Sequence, residues 1–246
     1  MNHAAAAQHL RAARANGPGD MLPDALRPRS EADAYAIQRA CMADLGPIGG
    51  WKVGAAGPEA PPSCAPMPLA GIFQAPVVLP SDGFTTRDIE SEIAFILGQD
   101  LPPRAAAYGR TDVLSAIASC HPGIEILQSR FEDGDAVDAL SNLADMIRHG
   151  AYVVGAAVAG WQAIDFAALE VAQAINGVVL HRRGNPAGDM VRLIMWLANN
   201  GARWAGGLHA GQVITCGSWT GKTSAPVGAQ VAVTFAGIAP VRMAFS

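Results

Sequence analysis

The chain has 246 residues, half of them apolar, enough to bury a full core as a single domain spanning 1–246 without disulfide or metal staples. Its 17 Lys and Arg against 21 Asp and Glu give a net charge of −4, and the basic residues are scattered, which argues against a nucleic-acid partner. Cys41, Cys64, Cys120 and Cys216 lie far apart with no C-x-x-C spacing, which argues against structural zinc and for a reducing, cytoplasmic setting.

The opening residues lack the apolar core of a secretory signal and read as an amphipathic helix, although Arg11, Arg14 and Arg29 stand among alanines as in an organelle transit peptide. Residues 1 to about 45 form two helices separated by Asn16-Gly-Pro-Gly19. The second starts at a Ser30 cap, runs through Glu31, Ala34, Ile37, Gln38 and Cys41, and ends before Gly46-Pro47. From Gly49 to Pro80 the sequence predicts a short strand at Trp51-Lys52-Val53 and another at Val77–Leu79. Between them lies a loop over 57–68 that prolines 58, 61, 62, 66 and 68 keep irregular, long enough to cover a pocket.

After a strand carrying Glu90 and Glu92, Leu101-Pro-Pro ends the element, and a helix is expected over Thr111–Ser119 with Thr111 as its cap. A strand carrying Glu125 follows, then an acidic stretch (Glu132, Asp133, Asp135, Asp138) leading into a helix-like segment through Asp145 and Met146. Strands are expected at Tyr152–Val158 and Val178–His181. The strongest helix spans Ala187–Ala202, where Val191, Ile194, Met195, Leu197 and Ala198 make a broad apolar face. Alternation returns at Val213, Val231–Phe235 and Val241–Phe245, with turns at Gly228 and Gly237. The longest apolar stretch, Ala151 to Trp161, is broken by Gly155 and Gly160 and falls short of the roughly 20 residues that cross a bilayer, so no membrane partner is expected. The mixture reads as α+β, a curled antiparallel or mixed sheet with helices packed outside. Gly217-Ser-Trp-Thr-Gly-Lys-Thr223 imitates a phosphate-binding P-loop, but its spacing is one residue short and Pro226 with β-like residues follows where a helix is needed.

The chemistry concentrates in Asp88-Ile-Glu-Ser-Glu-Ile-Ala-Phe-Ile-Leu97 and His121-Pro-Gly-Ile-Glu-Ile-Leu127. Ile89, Ile93, Phe95 and Leu97 alternate, which sets Glu90 and Glu92 side by side on the opposite face of a strand. Glu125, between Ile124 and Ile126, leaves a second mostly apolar strand. Ionised carboxylates on buried strands repel one another and lose hydration, so they need protons, solvent or a cation, and a divalent ion serves most simply. Spacing alone leaves a solvated Glu-x-Glu face as the other reading.

A set of blocks in common order covers nearly the whole chain: Ala34-Tyr-Ala-Ile-Gln38, Gly50-Trp-Lys-Val-Gly54, Glu90-Ser-Glu-Ile-Ala-Phe-Ile-Leu-Gly98, Ile124-Glu-Ile-Leu-Gln-Ser-Arg130, Asp145 ahead of Tyr152-Val-Val-Gly155, Trp196-Leu-Ala-Asn199, and Ala210-Gly-Gln-Val-Ile-Thr-Cys-Gly-Ser218. Together they resemble the 2-keto-4-pentenoate hydratase and 4-oxalocrotonate decarboxylase family of the fumarylacetoacetate hydrolase superfamily. The resemblance implies a fumarylacetoacetase-like mixed β-roll over 46–246 with helices packed outside and a small helical N-terminal region over 1–45. It also implies Mg²⁺ or Mn²⁺ on Glu90, Glu92 and Glu125, a 2-oxo acid substrate chelating that ion, and Lys52 as the active-site lysine. The expected activity is that of a hydratase, a lyase adding water to a 2-hydroxy-2,4-dienoate or unsaturated 2-oxo acid in aromatic-compound degradation. Its alternatives are a 4-oxalocrotonate-type decarboxylase or a non-catalytic partner subunit. A homo-oligomer is implied, with a paralogous hydratase or decarboxylase as a further partner. Three departures fall on the substrate side and leave the metal set intact: Gln128 in place of an Asp before Ser-Arg, Met146-Ile-Arg-His149 in place of an Asn-Ala-Ser-Ser type of sequence, and the Pro-rich run after Gly54.

Other polar residues carry two readings each. Lys52 is an active-site group or a lysine snorkelling to the surface. Arg130 pairs with a substrate carboxylate, or with Glu132 or Asp133. Asp145 orients water or caps a turn. Ser218 and Thr220 donate to a substrate carboxylate or satisfy their own Gly-rich turn. His121 and His149 lack metal-ligand spacing and are expected at the surface or as satisfied core residues.

Overall fold

The computed structural model describes all 246 residues. Two helices, α1 (His3–Asn16) and α2 (Glu31–Met42), open the chain. As expected, Ser30 caps α2: its hydroxyl accepts the Asp33 N–H at 3.2 Å. Small side chains on both helices (Ala6, Ala7, Ala34) let them approach closely, and with Leu10, Ile37 and Cys41 they bury against Phe131, Leu143 and Met146 in a cluster of 13 residues. Buried Gln38 ties α2 to the body of the protein by donating to the Cys64 and Leu143 carbonyls at 3.2 and 2.5 Å.

Thirteen strands follow: β1 (Ile48–Gly54), β2 (Ser63–Pro68), β3 (Ile72–Gln74), β4 (Val77–Leu79), β5 (Asp88–Leu97), β6 (Ile117–Leu127), β7 (His149–Val154), β8 (Glu170–Ile175), β9 (Val178–Arg183), β10 (Val213–Ser218), β11 (Thr223–Ser224), β12 (Gln230–Phe235) and β13 (Val241–Phe245). Three shorter helices lie among them: α3 (Arg110–Ala116), α4 (Ala139–Ala144) and α5 (Met190–Trp196). An eight-stranded sheet runs β2-β1-β10-β5-β6-β7-β3 with β11 beside β5, and a five-stranded sheet runs β4-β13-β12-β8-β9. Pairing is parallel for β1/β10, β3/β7 and β4/β13 and antiparallel elsewhere, so both sheets are mixed. Strands β12 and β13 pack across β6 and β7, and a cluster of 43 buried residues fills the interior. The α+β expectation holds, with few helices and none long and apolar enough to cross a membrane.

Several expected boundaries move. The 57–68 stretch is not wholly irregular, because Ser63–Pro68 pairs with β1 as the sheet's edge strand. The Cys64 N–H points away from β1, to Tyr35 Oη at 3.4 Å, and Pro66 and Pro68 share its parity, so their missing N–H groups leave no ladder bond unmade. The helix expected at 111–119 is α3: it begins after Gly109, whose N–H is accepted by Asp112 Oδ2 at 2.9 Å, and it ends at Ala116 because Ile117–Ser119 already belong to β6. The helix expected through Asp145 and Met146 stops at Ala144, since Met146, Ile147 and Arg148 take positive φ. The strand expected to reach Val158 ends at Val154. Helix α5 starts later than expected and passes into a wider turn over Leu197–Gly201. Strand β8 carries no clear alternation of polar and apolar residues and was not expected.

Candidate metal centre

Strands β5 and β6 pair so that Glu90 stands directly opposite Glu125, while Glu92 faces Gly123 on β6 and Ser218 on β10. Like charges directly across a ladder repel. Even so, ligand oxygens of Glu90, Glu92 and Glu125 converge to within 4.8 Å of one another, with Glu92 and Glu125 buried.

Lys52 completes the cluster, its Nζ donating to Glu125 Oε1 at 2.6 Å and to the Ile147 carbonyl at 3.0 Å. Strands are about 4.8 Å apart, so β1, three strands from β6, would lie roughly 14 Å away in a flat sheet. The contact exists because the sheet curls onto itself, as a β-roll must. Lys52 is 8% exposed, which removes the snorkelling reading.

Burial drives the electrostatics. Loss of hydration, with Glu125 and Asp88 nearby, pushes the Glu90 carboxyl up to about 7 against the opposing pull of Lys52. Glu92 rises well above its usual range from burial and from the charges of Glu125 and Glu90. Burial also works against a charged Glu125, but Lys52 and the His149 hydrogen bond outweigh it and hold that carboxyl below its ordinary value. Burial likewise opposes a charged Lys52, yet the three facing carboxylates raise its pKa. One ammonium cannot neutralise three carboxylates, and Glu125 Oε2 is buried with no hydrogen-bond partner. An all-oxygen donor set with an unspent buried acceptor fits a hard divalent cation such as Mg²⁺ or Mn²⁺.

The site opens into a cavity of about 470 Å³ whose lining includes Lys52, Glu90, Glu92 and Ser218 together with the Ala55–Ala56 and Pro61–Ser63 segments, Leu140, Asn142, Leu143 and Ile147. The Pro-rich loop thus borders the pocket, pinned by Arg192, which donates to the Ala60 and Gly57 carbonyls at 3.1 and 3.2 Å. Of the three departures, Ile147 and this loop reach the cavity, whereas Gln128 does not line it.

Not every expected site residue reaches the cavity. Arg130 and Asp145 form a buried ion pair with each other, each side chain 2% exposed and neither lining the cavity. Arg130 pairs with neither Glu132 nor Asp133. Its Nη2 donates to the Asp145 carbonyl at 2.7 Å and its Nη1 to the His149 carbonyl at 2.8 Å, which leaves it no free face for a substrate carboxylate. Thr220 is taken up by neighbouring strands as well as by its turn: Oγ1 accepts from the Ser91 N–H on β5 and from Gln173 Nε2 on β8, both at 3.1 Å, and donates to the Gly221 carbonyl at 2.9 Å. Ser218 does line the cavity, and its hydroxyl faces Glu90 but falls outside hydrogen-bonding geometry. The Gly217–Thr223 run leads from β10 into β11, not into a helix.

His149 is a satisfied core residue on one side only. Its Nδ1 meets Glu125 Oε1 at 2.9 Å, while its fully buried Nε2 has no partner. Sequence spacing hides this role, because the pairing depends on β6 and β7 lying side by side. Tyr152 and Thr215 are equally unannounced: Tyr152 Oη donates to Thr215 Oγ1 at 3.2 Å, and Thr215 donates on to Glu92 Oε2.

Comparison with known proteins bears on the family and the fold. A 2-keto-4-pentenoate hydratase of Burkholderia vietnamiensis (strain G4 / LMG 22486) is 28% identical over 183 residues, covering 74% of this chain and 64% of the relative, just under two thirds of its length. The 2-keto-4-pentenoate hydratase 2 of Dechloromonas aromatica (strain RCB) is 27% identical over 257 residues, covering 98% of this chain and 97% of the relative. Among solved structures, the 4-oxalocrotonate decarboxylase from Pseudomonas putida G7, complexed with magnesium and adipate, superposes with a TM-score of 0.86 at 23% identity, over 99% of this chain and 97% of that one. The fold is therefore the fumarylacetoacetase-like one. The family model for the fumarylacetoacetate (FAA) hydrolase C-terminal region matches residues 36–245, and the chain belongs to that family.

Proposed function

We propose that this chain is a metal-dependent hydratase, a lyase that adds water to a 2-hydroxy-2,4-dienoate or the unsaturated 2-oxo acid formed from it, in the degradation of aromatic compounds. The observation that carries the proposal is the convergence of Glu90, Glu92 and Glu125 beside Lys52, with Lys52, Glu90 and Glu92 lining a cavity. The hydratase names of relatives that align along the chain support it.

Glu90, Glu92 and Glu125 would hold Mg²⁺ or Mn²⁺. Bound there, the ion supplies Lewis-acid stabilisation of the negative charge that develops on a 2-oxo acid as its enol ketonises and its distal double bond hydrates. Lys52, kept an ammonium by its three carboxylate neighbours, holds a proton at Nζ on the cavity wall, where it orients or returns protons as a donor. His149 and the Tyr152–Thr215 pair fix the orientation of Glu125 and Glu92.

The lining also favours hydratase over decarboxylase. Lys52 is the one cation that borders the cavity, and Glu125 already engages it. Outside Lys52 and the metal-centre glutamates Glu90 and Glu92, the wall is apolar or neutral apart from Glu31. The distal carboxylate of a dicarboxylic 2-oxo acid would meet no second cation there, whereas an uncharged alkenyl end fits. We extend the proposal to a homo-oligomer, which light scattering of the purified protein tests directly, and to a cytoplasmic location, which fractionation of the producing cells tests.

With Mg²⁺, the purified protein should deplete the dienol absorbance of 2-hydroxypenta-2,4-dienoate faster than spontaneous ketonisation, and no excess rate retires the hydratase assignment. Glu92→Gln should abolish metal-dependent turnover while preserving the circular-dichroism spectrum; undiminished activity removes that glutamate from the mechanism. Inactivity of the chain alone, with activity on adding a paralogous subunit, would instead assign it as a partner subunit.

A further inference from the structure

Lys52 owes part of its placement to strained backbone. Met146, Ile147 and Arg148 have φ of 53°, 51° and 60°, three consecutive left-handed residues with no glycine among them. L-residues enter that region singly and at a cost, greatest for a β-branched side chain such as that of Ile147. Such backbone persists only where its surroundings over-determine it.

Here the surroundings do so from both sides. The Arg148 N–H donates to the Asp145 carbonyl at 3.0 Å, and the Gln128 N–H donates to the Arg148 carbonyl at 2.7 Å. The Arg148 guanidinium bonds Asn142 Oδ1 at 3.0 Å and Asp135 Oδ1 at 2.9 Å. On the inner side, buried Arg130 grips the Asp145 carboxylate and carbonyl and the His149 carbonyl, so one guanidinium spans the residues before and after the turn.

The strain has a local result. A right-handed continuation of α4 would spend the Ile147 carbonyl on a helical hydrogen bond. Turned left-handed, it points at Lys52 Nζ, 3.0 Å away, and the chain emerges with His149 Nδ1 2.9 Å from the Glu125 oxygen that Lys52 also contacts. This segment is also one of the places where the chain departs from the family it resembles.

We infer that the Met146–Arg148 turn is a positioning element, clamped by the Arg130–Asp145 pair so that the Ile147 carbonyl fixes the Lys52 ammonium against Glu125. Arg130 and Asp145 then act on the site through the backbone and never touch substrate. The inference rests on the proposed function for its meaning, but its test does not need turnover.

The test reads the reaction of Lys52 with an amine-directed reagent, by mass spectrometry of the whole chain without substrate, in the parent and three variants. Ile147→Gly frees the turn, and its Lys52 should label about threefold faster or more, although its Tm stays within a few degrees of the parent. Ile147→Asn tolerates left-handed backbone and should label at the parent rate. Asp145→Asn loosens the clamp and should also speed labelling. Where turnover is measurable, Ile147→Gly should lower kcat about tenfold with KM within about threefold. Equal labelling in the parent and Ile147→Gly overturns the positioning role even if activity falls, and equal labelling in Asp145→Asn overturns the clamp. A parent that shows no hydratase turnover but passes the labelling comparison counts against the proposed function alone.

Discussion

Glu92 is oriented through two hydroxyls, Tyr152 to Thr215 and Thr215 to its own carboxylate, and a glycine makes room for the first. A Cβ on Gly123, opposite Glu92 in the ladder, would run into Tyr152 Oη. Gly123→Ala should therefore destabilise by about 1–3 kcal/mol, the range typical of overpacking, seen as a lower urea midpoint. By displacing the phenol it should also weaken Mn²⁺ binding. Tyr152→Phe removes one donor and keeps the ring, so it should cost only about 1 kcal/mol of stability while lowering Mn²⁺ affinity about tenfold. Titration followed by electron paramagnetic resonance checks both, and unchanged affinity in the pair would leave these hydroxyls with a structural role only. Of the acidic trio, the Glu90–Glu92 pair was legible from strand periodicity, which is local: Glu-x-Glu on an alternating strand shares a face whatever its neighbours are. Glu125 joins it through the pairing of β5 with β6, and the sequence assigned it to the set mainly through the family resemblance. Tyr152 and Thr215 were not legible, because their meeting depends on which strands lie side by side, a non-local fact. Arg130 and Asp145 were misassigned for a related reason. Their side-chain types and places in the sequence do not reveal that both groups are buried against each other, away from the cavity.

At the scale of elements, β2 shows how proline density misleads. Prolines exclude a strand only where the ladder needs their N–H, and on an edge strand every second N–H faces outward. Pro66 and Pro68 occupy that outward set together with Cys64, and Ala65 lies in the inward set opposite Lys52. Pro66→Ala should therefore change stability by about 1 kcal/mol or less. Ala65→Pro should cost about 3 kcal/mol or more by removing a ladder bond, and it should disturb Lys52 through the lost pairing. Equal melting temperatures for the two variants would show that parity is not what admits the prolines. The hairpin β8–β9 gives the converse lesson. Asn176 and Gly177, with φ of 48° and 82°, form the tight turn that Asn-Gly favours between strands, a local signal for the hairpin that the reading of β8 by alternation alone passes over. Helix caps and the alternating strands near the C-terminus were readable from local chemistry. The left-handed turn after α4 was not, because nothing in Met-Ile-Arg favours it and tertiary contacts alone sustain it.

For the whole molecule, the acidic trio links folding to both protons and metal. Without a bound cation, the folded-state pKa of Glu90, about 7, lies above its ordinary 4.5, so between those values the folded chain binds more protons than the unfolded one. Stability from that group is complete below the ordinary value and is lost as pH rises through about 7. Glu92 shifts in the same direction and carries the loss higher. Glu125 has the opposite sign: its depressed pKa stabilises the fold above the ordinary carboxylate value and is no source of loss near neutrality. A divalent cation replaces the protons that Glu90 and Glu92 would otherwise take up, so its stabilising effect must grow as pH rises. At a Mg²⁺ concentration of about 100 times Kd, linkage gives about 2.7 kcal/mol, or about 5–11 °C in Tm for a chain of this length. Melting followed by circular dichroism at pH 6 and pH 8, in EDTA and in Mg²⁺, should show the chelated protein losing Tm between the two pH values and the Mg²⁺ protein losing little, so that the metal-dependent gain is larger at pH 8. A gain of the same size at both pH values would separate the carboxyl shifts from metal binding, and no gain at either would remove the cation from the site.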